Sequence, residues 1–347
     1  MKVALIADLH IGVKKSDQCF QQSQLAFFKD QLVPDLKEDN IDTIIVCGDV
    51  YDTRQTINVH TENVVLDLFK NVLKDFTVHI IVGNHDIYHT TTTEVNSLKS
   101  LNLLPNVTVY EKPTEIELDG KKCLMLPWIT KNEDFSSIVT KKYEYCFAHL
   151  DIVGFNMGMR NISTDGIDGA DIIKKVKYTF TGHYHTRSHK EFKNGAEITY
   201  IGSPYQITRA DRGEDRGYII LDTDDGLFEW KTNEMSMIFT KYVYPIVDKS
   251  KIKGNQVDIE IPYNMQNETK KIYDLVNELN ALGPAYPVNT YYGDPPDADQ
   301  NISIDVDQLN LVSMFSSFID QIDTDLNKQE LYEELIKLYD MFKGANS

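Results

Sequence analysis

The sequence predicts a two-sheet α/β sandwich, because strands that alternate with helices are followed along the chain by closely spaced strands without long helices. Three short apolar runs rich in β-branched residues, "VALIAD", "TIIVCGD" and "VHIIVGNHD", each end in polar residues. Between these runs, apolar residues recur at helical spacing, first Leu25, Phe28, Leu32 and Leu36 and then Val64, Leu68 and Val72. This β-α-β-α-β order indicates parallel strands joined by right-handed crossovers, with a site at the carboxyl ends of the strands.

From about residue 107, closely spaced strands follow without long helices. They are "VTVY", "CLMLPW", "YEYCFAHL", "YTFTGHYH", "ITYIGSP" and "GYIILD". We expect these strands to form a second sheet packed on the first, which completes a domain of residues 1–235. Residues 240–283 then hold two strands and one helix, enough for a small α+β capping domain.

The last part of the chain divides into a linker and a helical pair. Residues 284–306 contain Pro, Gly and Asp without apolar periodicity, as in a linker. Residues 307–343 carry two helical stripes, formed by Leu311, Met314, Phe318 and Ile322 and by Leu331, Leu335, Leu338 and Phe342. The pair is too small for a core of its own, so it needs a partner surface or must fold back onto the capping segment.

Composition narrows the class of protein. The chain has 347 residues and a net charge of −18, which argues against a broad basic surface for nucleic acid. Residues 281–347 hold twelve Asp and Glu against three Lys, so this tail contributes half of that charge. No membrane span or signal peptide is recognisable, and the four cysteines lack paired spacing, which together predict a cytoplasmic protein.

Side chains that bind metals cluster at five strand or loop ends. They are Asp8 and His10, Asp49 and Asp52, Asn84, His85 and Asp86, then His149, and finally His183 and His185. A single histidine at a strand end is more often structural than a ligand, but five such ends are hard to explain as loop polarity. Mixed carboxylate, amide and imidazole ligands favour Mn²⁺, Fe²⁺ or Zn²⁺. Because the candidates are too many for one ion, we expect two ions about 3.5–4 Å apart that share a carboxylate.

The motifs D-x-H, G-D-x-x-D, G-N-H-D, a lone His and G-H-x-H, in this order, resemble the calcineurin-like metallophosphoesterase superfamily over residues 3 to about 222. Within it, "IADLHIG", "GNHD" and "YIGSPYQ" resemble the SbcD-type DNA-repair nucleases, especially the recombination-endonuclease subunits of tailed phages. The resemblance implies an α/β/β/α sandwich, a Mn²⁺-dependent 3′-to-5′ exonuclease and single-strand endonuclease, and an SMC-like ATPase partner. Mg²⁺, Fe²⁺ and Zn²⁺ are the alternative metals. For a phage protein, the compartment would be the host cytoplasm.

The resemblance also implies roles for individual residues. One ion is expected on Asp8, His10, Asp49 and His185, and the other on Asp49, Asn84, His149 and His183. His85 then faces the phosphate as a general acid or charge stabiliser oriented by Asp52, while Asp86 braces the loop. The DNA backbone is expected to meet Lys14, Lys15, Arg54, Arg187 and Arg209, with Arg212 and Arg216 nearby. The ATPase is expected to meet Leu311, Met314, Phe318, Leu331, Leu335 and Leu338.

Two other functions stay open on the sequence. The same metal site would suit a phosphatase or a cyclic-nucleotide phosphodiesterase, although a small-molecule enzyme needs neither a capping segment nor terminal helices. Alternatively, the chain could mainly hold and regulate the ATPase, although the intact set of ligands argues for chemistry. The resemblance further implies a homodimer, formed through helices of the 55–105 region, that acts on single-stranded DNA and duplex ends.

Overall fold

The computed structural model describes residues 1–131, 133–158 and 161–294. Met1–Ile261 and Asn267–Tyr291 form one compact unit, and among the described residues Pro262–Gln266 belong with residues 292–294 to a second. Within that second unit, the amide of Gln266 donates a hydrogen bond of 2.7 Å to the carbonyl of Gly293. The predicted helical pair of residues 307–343 lies outside the described residues.

The strands of the first unit follow one another closely along the chain. In chain order they are β1 (Lys2–Ile6), β2 (Thr43–Val46), β3 (Thr77–Ile81), β4 (Val107–Tyr110), β5 (Thr114–Leu118), β6 (Lys121–Leu126), β7 (Tyr143–His149), β8 (Asn156–Gly158), β9 (Asn161–Ile162), β10 (Val176–Gly182), β11 (Ser188–Glu191), β12 (Glu197–Tyr200), β13 (Gly217–Asp222), β14 (Phe228–Thr232), β15 (Phe239–Val243), β16 (Gln256–Ile261) and β17 (Asn289–Tyr292).

Twelve of these strands form two six-stranded sheets, in the orders β14-β13-β1-β2-β3-β4 and β11-β12-β10-β7-β6-β5. Strands β1 to β4 are parallel to one another. Strand β13 pairs antiparallel with β1, and β14 pairs antiparallel with β13. In the other sheet, β6, β7, β10 and β12 are parallel, with β5 and β11 antiparallel at the edges. The predicted two-sheet sandwich is confirmed.

The assignment of two segments to the second sheet was wrong. Val107–Tyr110 pairs with β3, and Gly217–Asp222 pairs with β1, so both strands belong to the first sheet. Strand pairing is a long-range contact, and the alternation of apolar residues within a strand does not say which sheet the strand joins.

Helices cover the outer faces of the sandwich. The helical segments are α1 (Val13–Ser16), α2 (Gln18–Ala26), α3 (Val33–Glu38), α4 (Val59–Asp67), α5 (Phe135–Ile138), α6 (Gly169–Ile172) and α7 (Thr269–Ala281). The short α1 is a single turn in which Lys14, Lys15 and Ser16 have left-handed φ angles. A π-helical turn at Phe27–Leu32 joins α2 to α3, and another at Leu68–Val72 continues α4. Ser97–Leu103 and three shorter segments, Arg209–Asp211, Lys249–Lys251 and Tyr263–Met265, are 3₁₀-helical. No helix in the described residues is long and apolar enough to cross a membrane.

Buried side chains fill three layers of this sandwich. Leu5, Ile45, Phe147 and Phe180 are fully buried or nearly so and pack between the two sheets. A second cluster lies between the first sheet and the long helices, and a third covers the outer face of the second sheet. The apolar runs of the parallel strands are thus buried on both faces, as parallel sheets require.

The capping segment has the two predicted strands and the predicted helix, namely β15, β16 and α7. It also has β17, which completes a three-stranded sheet within the stretch predicted to be a linker. The strand Asn289–Tyr292 has only four residues and lies between a Pro and a Gly. Because Pro and Gly are typical of turns, the sequence pattern did not indicate this strand. Up to Tyr291 the small sheet lies in the same compact unit as the sandwich.

Candidate metal centre

The ends of five strands carry the predicted metal ligands to one edge of the sandwich. Asp8, Asp49 and Asn84 follow β1, β2 and β3, which are neighbours in the first sheet. His149 ends β7 and His183 follows β10, which are neighbours in the second sheet. Because these strands are parallel within each sheet, their carboxyl ends meet at one edge.

Four of the predicted ligands have left-handed backbone conformations. The φ angles are +56° at Asp8, +43° at His10, +56° at Asp49 and +98° at His183. Left-handed φ angles are uncommon for residues with a side chain and tend to occur at functional sites. Each of these four residues contacts a residue that ends or follows a strand of the other sheet.

Imidazole and carboxylate atoms meet around His10. Its Nε2 lies 3.0 Å from Nε2 of His185 and 3.7 Å from Oδ2 of Asp49. Ligand atoms of Asp8, His10 and His185 lie within 4.8 Å of one another, as do those of Asp8, Asp49 and His149. Asp8 belongs to both groups, and Asp49 joins them through its contact with His10.

A second group of atoms converges on the side-chain oxygen of Asn84. Nε2 of His149 lies 2.9 Å from this oxygen, and Nδ1 of His183 lies 3.0 Å from it. Nε2 of His149 is also 3.3 Å from Oδ2 of Asp49. Asp49 therefore contacts a histidine of each group, which is the position that a bridging carboxylate requires.

Burial and mutual charge set the pKa values of these groups. Burial raises the pKa of Asp8 to about 6. Burial would also raise the pKa of Asp49, but the neighbouring charge and hydrogen bond of His149 outweigh it and hold the pKa below its ordinary value. Burial lowers the pKa of His149, yet the Asp49 and Asp8 charges raise it to about 9. For His183, burial and the charge of His149 lower the pKa to about 3.

The donor set fits divalent ions. The ring Nδ1 of His149 lies 2.8 Å from the carbonyl oxygen of Cys47, which can only accept, so Nδ1 carries a proton. Nε2 then has only a lone pair in the neutral ring, yet it points at an amide oxygen and a carboxylate. Without a metal, a second proton on His149 satisfies these oxygens, and a cation at the same place would satisfy them with the ring neutral.

The sequence-predicted catalytic pair has a different contact from the one expected. The backbone N–H of His85 donates to Oδ1 of Asp49 at 2.8 Å, and its Nδ1 lies 2.6 Å from the main-chain carbonyl of Asp52. The carboxylate of Asp52 instead lies 3.4 Å from Nδ1 of His10. Asp52 thus holds His85 through its backbone, which a substitution of the Asp52 side chain need not disturb.

Asp86 braces the loop, as its motif suggested. Its buried carboxylate accepts hydrogen bonds from the backbone N–H groups of Gly83, Asp49, Val50 and Tyr51, at distances of 2.9 to 3.3 Å. These bonds tie the loop after β3 to the loop after β2. Asp49 and Asn84, which lie on these two loops, are thereby held in register.

Several supports of the site have no signal in the sequence. The amide of Gln24 donates to the carbonyls of Leu9 and His10, at 3.0 and 3.3 Å, and the Tyr205 hydroxyl also donates to Leu9. The Trp128 ring stands beside the rings of His149 and His183. Only the position of Trp128 at the end of an apolar strand could have drawn attention to it.

Most of the Lys and Arg side chains predicted to meet DNA form contacts within the protein. Nζ of Lys14 lies 4.3 Å from the Phe239 ring centre and donates to Gln256 at 3.3 Å. Nε of Arg209 donates to buried Asp258 at 2.9 Å, and Arg187 donates to the carbonyl of Lys231 at 2.8 Å. Arg212 also pairs with Asp258, and Arg216 with Asp211 and Glu214. Lys15 and Arg54 are exposed and have no ion pair among the described residues.

The predicted partner-binding residues, Leu311, Met314, Phe318, Leu331, Leu335 and Leu338, lie outside the described residues. Their role stays a prediction.

Comparison with known proteins places this site in a family. The chain is 27% identical over 346 residues to exonuclease subunit 1 of Enterobacteria phage T4, an alignment that covers 98% of each chain. It is 23% identical over 260 residues to the DNA double-strand break repair protein Mre11 of Methanopyrus kandleri, covering 68% of this chain and 57% of the relative. A putative phosphoesterase, 078R, of Invertebrate iridescent virus 3 is 22% identical, covering 46% of each chain.

The family profile of the calcineurin-like phosphoesterases matches residues 1–192, which include all of the predicted metal ligands. More than half of the sequence is covered by that match, and the fold and the convergence of ligands agree with it. The chain therefore belongs to the calcineurin-like phosphoesterase family.

Proposed function

We propose that this chain is a metal-dependent DNA nuclease, with 3′-to-5′ exonuclease and single-strand endonuclease activity, in DNA recombination and repair. The observation that carries the proposal is the convergence of three carboxylate or amide ligands and four imidazoles at one edge of the sandwich. The similarity along the whole chain to an exonuclease subunit supports DNA as the substrate. Mn²⁺ suits the mixed ligand set, and Mg²⁺, Fe²⁺ and Zn²⁺ are the alternatives.

The proposed ligands divide as the motifs suggest. Asp8, His10, Asp49 and His185 would hold one ion, and Asp49, Asn84, His149 and His183 the other. Two such ions would polarise the phosphodiester and lower the pKa of an attacking water.

His85 is the proposed general acid. Since the carbonyl of Asp52 accepts from Nδ1, the opposite nitrogen, Nε2, is the one that can give a proton to the leaving oxygen. This Nε2 has no hydrogen-bond partner among the described residues. The two hydrogen bonds that His85 makes, through its backbone and through Nδ1, fix the ring beside the ligand set without making it a ligand.

A substrate panel tests this function. In Mn²⁺, we expect the pure protein to hydrolyse single-stranded DNA faster than a cyclic nucleotide or p-nitrophenyl phosphate. Repeating the assay in Mg²⁺, Fe²⁺ and Zn²⁺ would rank the metals, and labels on each DNA end would give the polarity of digestion. If p-nitrophenyl phosphate or the cyclic nucleotide were turned over while DNA stayed intact, the nuclease assignment would fail.

We also propose that the protein acts as a homodimer bound to an SMC-like ATPase. The dimer proposal rests on the family resemblance, which implies a contact through the 55–105 region, where the apolar side chains of Val59 and Leu103 are 78% and 84% exposed. The helical stripes of residues 307–343 are the proposed ATPase contact, in the manner of a helix in a groove.

Light scattering tests the dimer, and co-purification tests the ATPase contact. In light scattering, the full chain alone should have the mass of two copies. The double variant Leu331→Asp, Leu335→Asp should keep that mass and its cleavage of single strands, but should no longer co-purify with the SMC-like ATPase of the same genome. A monomeric wild type would remove the dimer, and a double variant that still binds the ATPase would remove the stripe contact.

A further inference from the structure

Trp128 occupies a position that the metal centre does not explain. It follows β6, and its backbone N–H donates to the carbonyl of Val82 at 2.9 Å, which anchors it to the other sheet. Its ring centre lies 5.0 Å from that of His183 and 5.9 Å from that of His149. The indole therefore stands directly beside two proposed ligands of the second ion.

The indole also borders open space. The ring is half-buried, and it lines two cavities of about 260 and 210 Å³ that also share Thr130 and Glu133. Buried Trp residues usually pair their indole N–H, but Trp128 has no partner for it among the described residues. The ring thus presents an aromatic surface next to the site where a phosphodiester would be cleaved.

Electrostatics favour an uncharged group on this surface. Glu94, Glu111 and Glu133 line the larger cavity, where Lys112 forms an ion pair with Glu94 and Lys99 forms one with Glu111. Glu133 has no ion pair among the described residues and would repel a phosphate, whereas a nucleobase is neutral. The cations near the site are also largely engaged, as Lys14, Arg187 and Arg209 show. Stacking on an aromatic ring supplies affinity for single strands that does not depend on phosphate contacts.

We propose that Trp128 stacks on the nucleobase of a nucleotide adjacent to the phosphodiester that is cleaved. The inference rests on the proposed nuclease function and adds a base-binding residue to it. Stacking accepts every base, so Trp128 would position the strand without reading its sequence. It would favour unpaired bases, because a base within a duplex is already stacked.

Fluorescence gives a direct readout. The chain has two tryptophans, Trp128 and Trp230, so in a Trp230→Phe variant the emission comes from Trp128 alone. We expect a single-stranded phosphorothioate oligonucleotide, which resists hydrolysis, to quench this emission in Mn²⁺. The same backbone without bases should bind without the quenching. Equal quenching by both backbones would contradict stacking.

A scan of abasic sites locates the stacked base. Trp128→Leu should weaken binding of the intact oligonucleotide about tenfold, because base–aromatic stacking has that magnitude. Trp128→Phe, which keeps a ring, should lose less. When one base next to the cleaved bond is removed, wild type and Trp128→Leu should bind equally well, and an abasic site elsewhere should leave the difference intact.

Three results separate the outcomes. If Trp128→Leu loses the same factor on every abasic oligonucleotide, or loses bound metal, Trp128 only packs against His149 and His183 and the inference is wrong. If wild type cleaves DNA and Trp128→Leu binds it equally well, the inference fails while the nuclease function stands. If wild type cleaves no DNA, the nuclease function itself fails.

Discussion

Asp49→Asn should lose bound metal and nuclease activity together, whereas His85→Ala should keep the metal and lose only the activity. Asp49 is buried and lies within 3.7 Å of both His10 and His149, so its carboxylate faces both proposed ions. The asparagine keeps the shape but removes the charge that would neutralise the ions. His85 is held beside the proposed ligands by its backbone N–H and its Nδ1, and removal of a general acid typically costs about 10²–10⁴-fold in rate.

Metal content and thermal stability decide between the two roles. Mass spectrometry after gel filtration should give two ions per chain for wild type and for His85→Ala. A ligand that binds only the folded state stabilises it by about 2.7 kcal/mol at a hundred times its Kd, so Mn²⁺ should raise Tm in these two proteins. Asp49→Asn should have fewer than two ions per chain, and Mn²⁺ should not raise its Tm. A His85→Ala protein that lost one ion would show that His85 is a ligand.

The convergence of the proposed ligands was predictable because its signal is local. Each proposed ligand directly follows or ends a strand, and the carboxyl ends of parallel strands meet wherever such a fold forms. Asp8, Asn84 and His183 could therefore be placed together from the order of the motifs alone. The left-handed turns at Asp8 and His183 cannot be read from the spacing, since such angles are uncommon for residues with a side chain and depend on the surrounding fold.

Contacts between distant parts of the chain could not be predicted in the same way. Arg209, which is predicted to meet DNA, also pairs with Asp258, which lies on β16 and is 1% exposed. A buried carboxylate needs a positively charged partner, and Arg209 serves as one here. The position of Trp128 beside His149 depends likewise on how the two sheets pack. Pairing of this kind follows from tertiary structure, and a motif search does not reveal it.

Gly83→Ala should abolish most of the activity although it replaces no proposed ligand or catalytic residue. A Cβ atom at residue 83 would overlap Oδ1 of Asp49 and lie 2.5 Å from the Asp49 backbone nitrogen, so the proposed bridging carboxylate must move. The backbone of Gly83 is not left-handed, so the substitution acts through this collision alone. A displacement of about 1 Å in a catalytic site can cost about 10²-fold in rate, and we expect a loss of at least that order in DNA cleavage.

Gly169→Ala is the matched control. Residue 169 begins α6, and a Cβ there would meet its nearest neighbour, Cδ1 of Ile198, at 3.6 Å, an ordinary contact. Both variants should unfold cooperatively, and Gly169→Ala should cleave DNA and bind metal as wild type does. Because the added Cβ of Gly83→Ala collides with Asp49, the metal content of this variant should drop together with its rate of DNA cleavage. A Gly83→Ala protein with full metal content and full activity would show that the placement of Asp49 between the two groups of histidines does not matter for catalysis.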